Sequence, residues 1–598
     1  MTPDFQRQLR DFLNDSLSGE AISENCLSDE EILLYVHNLV DELPERERTR
    51  IAAHIRDTAC PRCSELVALM SRAQASHATR KTEFLRAVPS TEPKLSTVLW
   101  HAFEPIVDSL RRLKIPAIAT AMAFGVLVLG LALGPQWSAR RGPIKTLAVA
   151  PFTGSNPEGD TFASTLPESV ARTLGGVSQL RVVSWAGGAR DKGESADPDR
   201  IARDLHVRAV LTGQLVKRDN GVMIQAALRD TYTDRDLWTH EYAISNILDV
   251  RQDMVQELSV ALRLKLSVEQ RRRLDKRPTD DPEAYRLYLE ARHYLKQRNL
   301  DKAIDYFQQA IRRDGNFALA YAGLGDSYGL RGWYEQERPK EAYKKAHDAA
   351  STALALNGNL AEAHSTLAMI YSDHERNWSN AEKEYKLAIE LNPSYPTAHE
   401  WYGLYLVAVG RSKEGLDEVR QAEQLDPVSP MIVSAVAEAL YFSRDYDQAI
   451  EQYRKALGID PSFQPALRGL ACAYATKGMY GEATETLSKL LRASPDDPRG
   501  LSVLGYVLSR SNQKPKVQGE VLRPLEERRP VPAYWIAVVY AALGDTESAF
   551  RWLERSFEEQ SAELLYLRVA PYFDSLRDDT RFSNLLLRLN LPSRIGPP

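Results

Sequence analysis

Four prolines recur along this chain at a constant interval of 34 residues: Pro393, Pro427, Pro461 and Pro495. Proline cannot continue a helix, because it has no N–H to donate and its ring collides with the preceding turn. Small residues recur at the same interval, at positions where two helices must approach closely; these are Gly403, Ala437, Ala471 and Gly505. The spacing therefore predicts a repeated unit of two packed helices that ends at each proline.

A 34-residue helical period with this pattern resembles the tetratricopeptide repeat (TPR) family. Over residues 282–598 the period predicts a helical solenoid of about eight repeats with a C-terminal cap, although the seventh unit is degenerate. The units are expected near 284–317, 318–360, 361–395, 396–429, 430–463, 464–497, 498–529 and 530–563. Such units bury a continuous core only by stacking, so the array should form one superhelix with a concave surface. We expect the tail that follows the last unit to cap its exposed face.

The resemblance to this family implies which side chains line the concave surface, because the first helix of each unit faces it. The corresponding residues are Glu400, Ser434, Glu438, Tyr441, Phe442, Arg468, Cys472, Tyr506 and Arg510. A mixture of aromatic and charged side chains suits an extended peptide, so the predicted partner is a protein or peptide. The alternative interpretation is an inner face that is solvated and binds nothing.

Composition and motifs exclude other classes of function. The formal net charge is −5 with 26% charged residues, which is too mild a balance to indicate a nucleic-acid partner. No catalytic triad, carboxylate pair or phosphate-binding loop emerges from the motifs, and the glycine pairs at 175–176 and 187–188 are typical of turns. The sequence therefore predicts that the chain is not an enzyme.

Residues 115–134 contain no charged side chain. As a helix they would span about 30 Å, the hydrocarbon thickness of a bilayer. This pattern predicts a transmembrane helix, preceded over residues 76–114 by a linker and a juxtamembrane helix, and it places the chain in the inner (cytoplasmic) membrane as a single-pass protein. The alternative is a buried core helix. Basic residues flank the segment equally on both sides, so charge does not orient it.

The first 75 residues contain a cluster of metal-ligand types: Cys26, His54, Cys60 and Cys63. Cys60 and Cys63 form a C-x₂-C pair, a spacing that lets two thiolates bind one tetrahedral zinc ion. The cluster and its helices resemble the bacterial zinc-finger family related to zinc-binding anti-sigma factors. That resemblance implies a structural zinc site and a sigma factor as partner. The His-to-Cys spacing is longer than the family's, and His37 is an alternative ligand; the other interpretation is a small helical domain with buried thiols.

Residues 144–268 show the pattern β-α-β-α-β-β-β-α, typical of an α/β layer fold. Within the β hairpin, Asn220-Gly221 suits a type I′ turn. The phrases LAVAPF, RVVSW and IARDLHVRAVLTGQL resemble the TolB amino-terminal-like domain, which in bacterial sensor proteins often precedes TPR units.

Together these patterns predict a multi-domain, mainly α protein: a helical zinc-finger-like module, a transmembrane helix, an α/β domain and a TPR solenoid. The predicted function is a membrane-anchored scaffold or sensor in bacterial signalling that binds a protein partner. The alternative is an anti-sigma-like transcriptional regulator that responds to an extracytoplasmic signal. Thiols persist in the reducing cytoplasm, so the cysteine-rich N-terminus is expected there and the α/β and TPR domains on the other side of the membrane.

Overall fold

The computed structural model describes residues 143–153, 157–185, 197–218, 221–243, 246–334, 336–511, 513–528 and 531–591. All of them belong to one compact unit, Pro135–Pro598. The predicted zinc-finger-like module, linker and transmembrane segment lie outside the described residues.

A five-stranded sheet with helices on both faces opens the described part of the chain. Its elements are β1 Thr146–Val149, α1 Pro157–Gly175, β2 Arg181–Ser184, α2 Pro198–Leu205, β3 Ala209–Arg218, β4 Gly221–Asp230, β5 Arg235–Ala243, α3 Ile247–Ala261 and α4 Val268–Asp275. The strand order is β2-β1-β3-β4-β5, with β1 parallel to both neighbours and the β3-β4-β5 pairs antiparallel. The order of strands and helices up to α3 is the one that the sequence predicts.

The sheet buries alternate residues on opposite faces, as the two-residue period of a strand requires. Leu147 and Val149 pack with α1 and α3, whereas Ala148 packs with α2 beneath the other face. In the β3–β4 hairpin Gly221 pairs with Arg218. Gly221 therefore belongs to strand β4 and not, as the sequence predicts, to the turn.

Pairs of antiparallel helices follow the sheet. They are α5 Pro282–Lys296 with α6 Leu300–Arg313, α7 Ala318–Trp333 with α8 Pro339–Leu356, α9 Ala361–Asp373 with α10 Trp378–Leu391, α11 Pro396–Ala408 with α12 Ser412–Leu425, α13 Pro430–Phe442 with α14 Tyr446–Ile459, and α15 Gln464–Thr476 with α16 Tyr480–Ala493. Four of the second helices, α10, α12, α14 and α16, end two residues before one of the four periodic prolines. A mainly helical TPR-type array with a small sheet region is thus confirmed.

The seventh unit departs from this regularity. Its first helix is α17 Pro498–Arg510, and its second is made of α18 Lys514–Val517, a π-helical turn Gln518–Leu522 and α19 Arg523–Glu527. Pro515 and Pro524 each lie in the first turn of one short helix, where proline is tolerated. The eighth pair is α20 Ala533–Leu543 with α21 Thr546–Glu558, and the described chain ends with α22 Thr580–Arg588.

The sheet region contacts the repeats through two hydrogen bonds and through helix α1. The backbone N–H of Val182 in β2 donates to Ser394 Oγ (3.1 Å), and Asn392 Nδ2 donates to the carbonyl of Arg172 (3.1 Å). Helix α1 packs against α5, where Ser169 Oγ and Tyr285 Oη lie 2.6 Å apart. The loop between α10 and α11 thus holds the edge of the sheet.

The predicted membrane localisation is contradicted. Across the part of the chain that the structure describes, no helix is both long enough and apolar enough to cross a bilayer.

Candidate binding groove

The residues after α21 return across the concave side of the array. Residues 561–577, here called the C-terminal segment, form two 3₁₀ turns, Ala562–Tyr566 and Pro571–Leu576. The first turn contacts α7, α9 and α11, and the second contacts α20, all of them first helices of their units. Helix α22, in the tail that is expected to cap the last unit, contacts α21 through the Arg588–Glu554 ion pair (2.8 Å). The C-terminal segment fills the concave surface instead.

Polar contacts anchor the C-terminal segment at three places. Arg568 is buried and donates to the carbonyl of Val409. Glu563 accepts from Arg499 of α17 (2.6 Å) and from Trp535 Nε1 of α20 (3.1 Å). Both buried side chains therefore find partners on different units, which fixes the path of the segment between them.

A third anchor is the ion pair between Arg444 and Asp574 (2.8 Å). Arg444 occupies a left-handed backbone position, φ 70°, in the turn between α13 and α14. Arg298 and Arg376 occupy the corresponding turns of units one and three, also with positive φ, and glycine occupies this position in other units, Gly410 among them. In units one, three, four, five, six and eight this turn therefore holds either a glycine or an arginine with positive φ.

Aromatic rings fill the space between the segment and the helices. Tyr566 stacks on Phe442 with ring centroids 4.6 Å apart, and Tyr572 lies 6.0 Å from Tyr441 and 5.6 Å from Tyr506. Such pairs contribute beyond the apolar area that they bury, about 0.5–1.5 kcal/mol each. The predicted groove aromatics therefore contact the chain's own C-terminal segment.

The remaining predicted groove residues lie mainly around a cavity beneath that segment. Glu400, Ser434, Glu438, Tyr441, Phe442, Arg468 and Cys472 all line it. Tyr506 is buried beside Tyr572 but does not line the cavity, and Arg510 is exposed at the end of α17. The family register thus brings together most of the predicted set and leaves Arg510 apart.

The cavity has a volume of about 200 Å³ and is partly open. Residues that the sequence interpretation missed complete its wall: Arg298, Trp333, Trp401, Arg499, Trp535 and Glu563. Trp401 follows Glu400 directly on α11, so its place on a first helix was a usable signal. Glu563 had no such signal, because it lies beyond the last repeat.

Burial shifts the titration of several carboxyl groups near this cavity. It raises the pKa of Glu400 to about 7, and the like charge of Glu438 adds to the effect. Burial also raises the pKa of Glu438 to about 7, and that of Asp373 to about 7. Removing a carboxylate from water disfavours its charged form, which is the dominant cause in all three cases.

A second cavity of about 340 Å³ lies between the sheet region and the array, and it shares Arg298, Glu400 and Trp401 with the first. Its floor contains an ion-pair network: Glu168 of α1 contacts Arg172 (2.8 Å) and Arg292 of α5 (2.9 Å). The two arginines hold the pKa of Glu168 far below its usual range despite the opposing effect of burial. This network joins the sheet region to the first repeat.

The predicted zinc ligands Cys26, His54, Cys60 and Cys63, with the alternative His37, lie outside the described residues. Over the described ranges no group of three or more His, Cys, Asp and Glu side chains could hold a metal ion. Cys472 is a buried free thiol whose pKa burial raises to about 11. The zinc site stays a prediction.

Comparison with known proteins agrees with the repeat architecture. Residues 288–353 and 443–505 match two family models, each described as tetratricopeptide repeat. The presence of TPR units is therefore confirmed. A TPR array is in general a non-catalytic scaffold that mediates protein–protein interaction, and the described array has this fold.

Curated relatives share parts of the chain. A Rhizobium meliloti (strain 1021) protein named "Putative adenylate cyclase 3" is 28% identical over 236 residues, which are 38% of this chain and 40% of that protein. Hsp70-Hsp90 organizing protein 2 of Arabidopsis thaliana is 31% identical over 96 residues, 16% of this chain and 17% of that protein. The chain thus spans two-fifths or less of the length of these relatives.

Solved structures are similar to part of the chain. PilF of Pseudomonas aeruginosa is 19% identical with a TM-score of 0.28, covering 41% of this chain and 99% of that one. The TPR protein YrrB is 20% identical with a TM-score of 0.23, covering 33% of this chain and 95% of that one.

Proposed function

We propose that this chain is a non-catalytic scaffold or sensor in bacterial signalling, which binds a polypeptide of a partner protein along the concave surface of its repeats. The observation that supports the proposal best is the C-terminal segment, because it is a polypeptide held in that groove by aromatic stacking, buried hydrogen bonds and an ion pair. A partner segment with a similar alternation of aromatic and charged residues would make the same contacts and would compete with it.

The experiment uses the chain's own segment as the probe. A fluorescent peptide with the sequence of residues 561–577 is added to the wild-type chain and to the double variant R568A/D574A, whose own segment has lost two anchors. We expect the peptide to bind the variant and to bind the wild type at least tenfold more weakly, measured by fluorescence anisotropy. A scrambled peptide is the control for sequence dependence.

A triple variant tests which residue of the groove the peptide contacts. Adding R444A to the double variant removes the partner of the peptide's Asp574, so affinity should fall. The proposal is wrong if the peptide fails to bind the double variant while circular dichroism shows that its helices are retained.

A second candidate function concerns the N-terminal residues. We propose that Cys26, His54, Cys60 and Cys63 hold a structural zinc ion and that this module binds a sigma factor; the convergence of four ligand types on one short segment supports it. Metal analysis of the full chain should find one zinc per chain, and C60S/C63S should lose both the metal and the co-purification of a sigma factor. Full occupancy in the double variant would exclude this site.

A further inference from the structure

The cavity beneath the C-terminal segment contains two carboxylates without a bonded partner. Glu400 is 6% exposed and lines the cavity, yet it has no hydrogen bond or ion pair within the described ranges. Glu438, on the neighbouring first helix, lines the same cavity and likewise has none there. A carboxyl group that is removed from water and has no partner either keeps its proton or is neutralised by a cation, so a bound cation could take the place of these two protons.

The arginines on the cavity wall do not supply that cation directly. Arg499 is paired with Glu563 (2.6 Å), and Arg468 is paired with Asp497 (3.4 Å). Arg298 attracts Glu400 electrostatically, and Arg499 and Arg468 attract Glu438, but within the described ranges none of them forms a hydrogen bond with these two carboxyl groups. With these pairs counted as neutral, Glu400 and Glu438 leave the cavity with an excess of acidic groups over Arg298, and Asp373 adds to it.

The rest of the wall is aromatic. Trp333, Trp401 and Trp535 line the cavity. Arg499 already lies over the rings of Trp333 and Trp535, 5.9 Å from each centroid, so the tryptophans offer a ligand mainly apolar contact area. An apolar cavity of about 150 Å³ accommodates benzene, so the present volume of about 200 Å³ admits a ring-sized or short alkyl body. The same volume is too small for a polypeptide segment, since ligand sites for larger molecules measure about 300–1,000 Å³.

We propose that this cavity is a binding site for a small organic cation, an alkyl- or arylammonium ion whose charge lies between Glu400 and Glu438 and whose apolar body contacts the three tryptophans. The inference goes beyond polypeptide binding in the groove and does not depend on it.

The test compares ligands of one shape and different charge on the full chain. The probes are 2-phenylethylamine (cationic), 2-phenylethanol (neutral) and 3-phenylpropionate (anionic), with hexylamine and putrescine as cations of other shapes. Isothermal titration calorimetry at pH 8, above the pKa of about 7 of both carboxyl groups, should show binding of at least one cation. It should show no binding of the uncharged analogue or of the anionic one.

Isosteric variants then assign the charge. E400Q and E438Q keep the shape of the wall and should each weaken binding of that cation about tenfold or more, because each removes a charge-assisted contact. E485Q, an exposed position on α16, should leave binding unchanged. Melting temperatures of all three variants show that they are folded.

Three results would overturn the proposal. Preferred binding of 3-phenylpropionate would assign the site to Arg298 and an anion. Equal binding of 2-phenylethanol would make it an apolar cavity without charge selection. Binding of none of the three cations to the folded wild type would exclude the site.

Discussion

Gly403 and Gly415 face each other across the contact between α11 and α12. A Cβ on Gly403 would lie 2.7 Å from the carbonyl oxygen of Gly415, and a Cβ on Gly415 would lie 2.5 Å from that of Gly403. Both distances are shorter than van der Waals contact and involve backbone, which cannot move independently of the helix. Close backbone approach therefore requires glycine at this position of the period in the fourth unit, whereas at Gly505 an added Cβ would meet the side chains of Val521 and Val539.

A methyl group at this contact should destabilise the array. We expect G415A to lower the free energy of unfolding by about 1–3 kcal/mol, because the two helices must separate. The matched control is G458A on α14, where an added Cβ meets nothing within 4 Å and the better helix former should stabilise by about 0.5–1 kcal/mol. Urea denaturation followed by circular dichroism measures both; equal effects in the two variants would contradict the close-contact explanation.

The buried carboxyls make stability depend on pH in a defined direction. The folded-state pKa of Glu438 is about 7 against an ordinary value of 4.5, so between these values the unfolded chain ionises while the folded chain stays protonated. Its contribution to stability is therefore present below about pH 4.5 and is lost as the pH rises to about 7. Glu400 and Asp373 act in the same direction.

The E438Q variant should separate this effect from others. Glutamine does not ionise, so E438Q should melt at a higher temperature than the wild type at pH 8 and at nearly the same temperature at pH 5. Differential scanning fluorimetry at both pH values checks it. A difference that is the same at pH 5 and pH 8 would show that Glu438 does not titrate in this range.

At the scale of elements, the C-terminal segment depends on one turn of the array. Gly410 has φ 91° and lies directly under the Arg568 guanidinium, so a Cβ there would come within 2.7 Å of Arg568 Cζ. Gly478 occupies the same turn two units later, with φ 78° and nothing within 4 Å. The two glycines share the backbone requirement but only one contacts the segment.

The pair G410A and G478A therefore tests how the segment is held. Both variants bear the cost of a left-handed alanine, about 1–2 kcal/mol, but only G410A should displace Arg568. Hydrogen exchange of residues 561–577 should accelerate in G410A and stay near the wild-type rate in G478A. Equal protection of the segment in both variants would mean that Arg568 is not an anchor.

The elements also show which features a sequence can predict. The helix ends of α10, α12, α14 and α16 follow from the chemistry of proline, which acts locally. The order of strands and helices along residues 144–268 follows from short apolar runs and helical patterns. The path of the C-terminal segment does not, because its contacts join residues far apart in the chain, such as Arg568 and Val409, and no period or motif relates them. The same holds for the cavity. The residues that the first helices contribute to its wall were predictable from their positions in the 34-residue repeat, whereas Glu563 was not.

At the scale of the whole unit, the sheet region and the repeats are joined through buried charge. Arg172 and Arg292 have side chains that are 12% and 18% exposed, and Glu168 compensates both. Because neither arginine can lose its proton, removing the Glu168 carboxylate would leave two poorly hydrated cations next to each other, with Glu362, 3.6 Å from Arg172, as the remaining ion-pair partner of Arg172.

We therefore expect E168Q to destabilise both regions together, by about 3 kcal/mol, the low end for breaking a buried pair. The matched control is E269Q on α4, where the carboxylate also contacts two arginines, Arg272 and Arg273, but in an exposed place; its effect should stay within about 0.5 kcal/mol. Thermal unfolding by circular dichroism gives the stability, and hydrogen exchange in β1 and α5 shows whether both regions loosen. Faster exchange in only one of them would contradict the coupling.

The eighth unit and the residues that follow it also contact the third unit. Trp378 Nε1 at the start of α10 donates to the carbonyl of Leu589 (3.1 Å), and Arg376 lies over the ring of Phe557, 4.9 Å from its centroid. In an open array each repeat contacts only its neighbours, so the superhelix can extend like a spring. Here extension would require breaking contacts more than 180 residues apart in the chain, between residues 376–378 and 557–589. Under a pulling force the array should therefore resist up to a threshold and then yield abruptly, where an open solenoid would lengthen gradually.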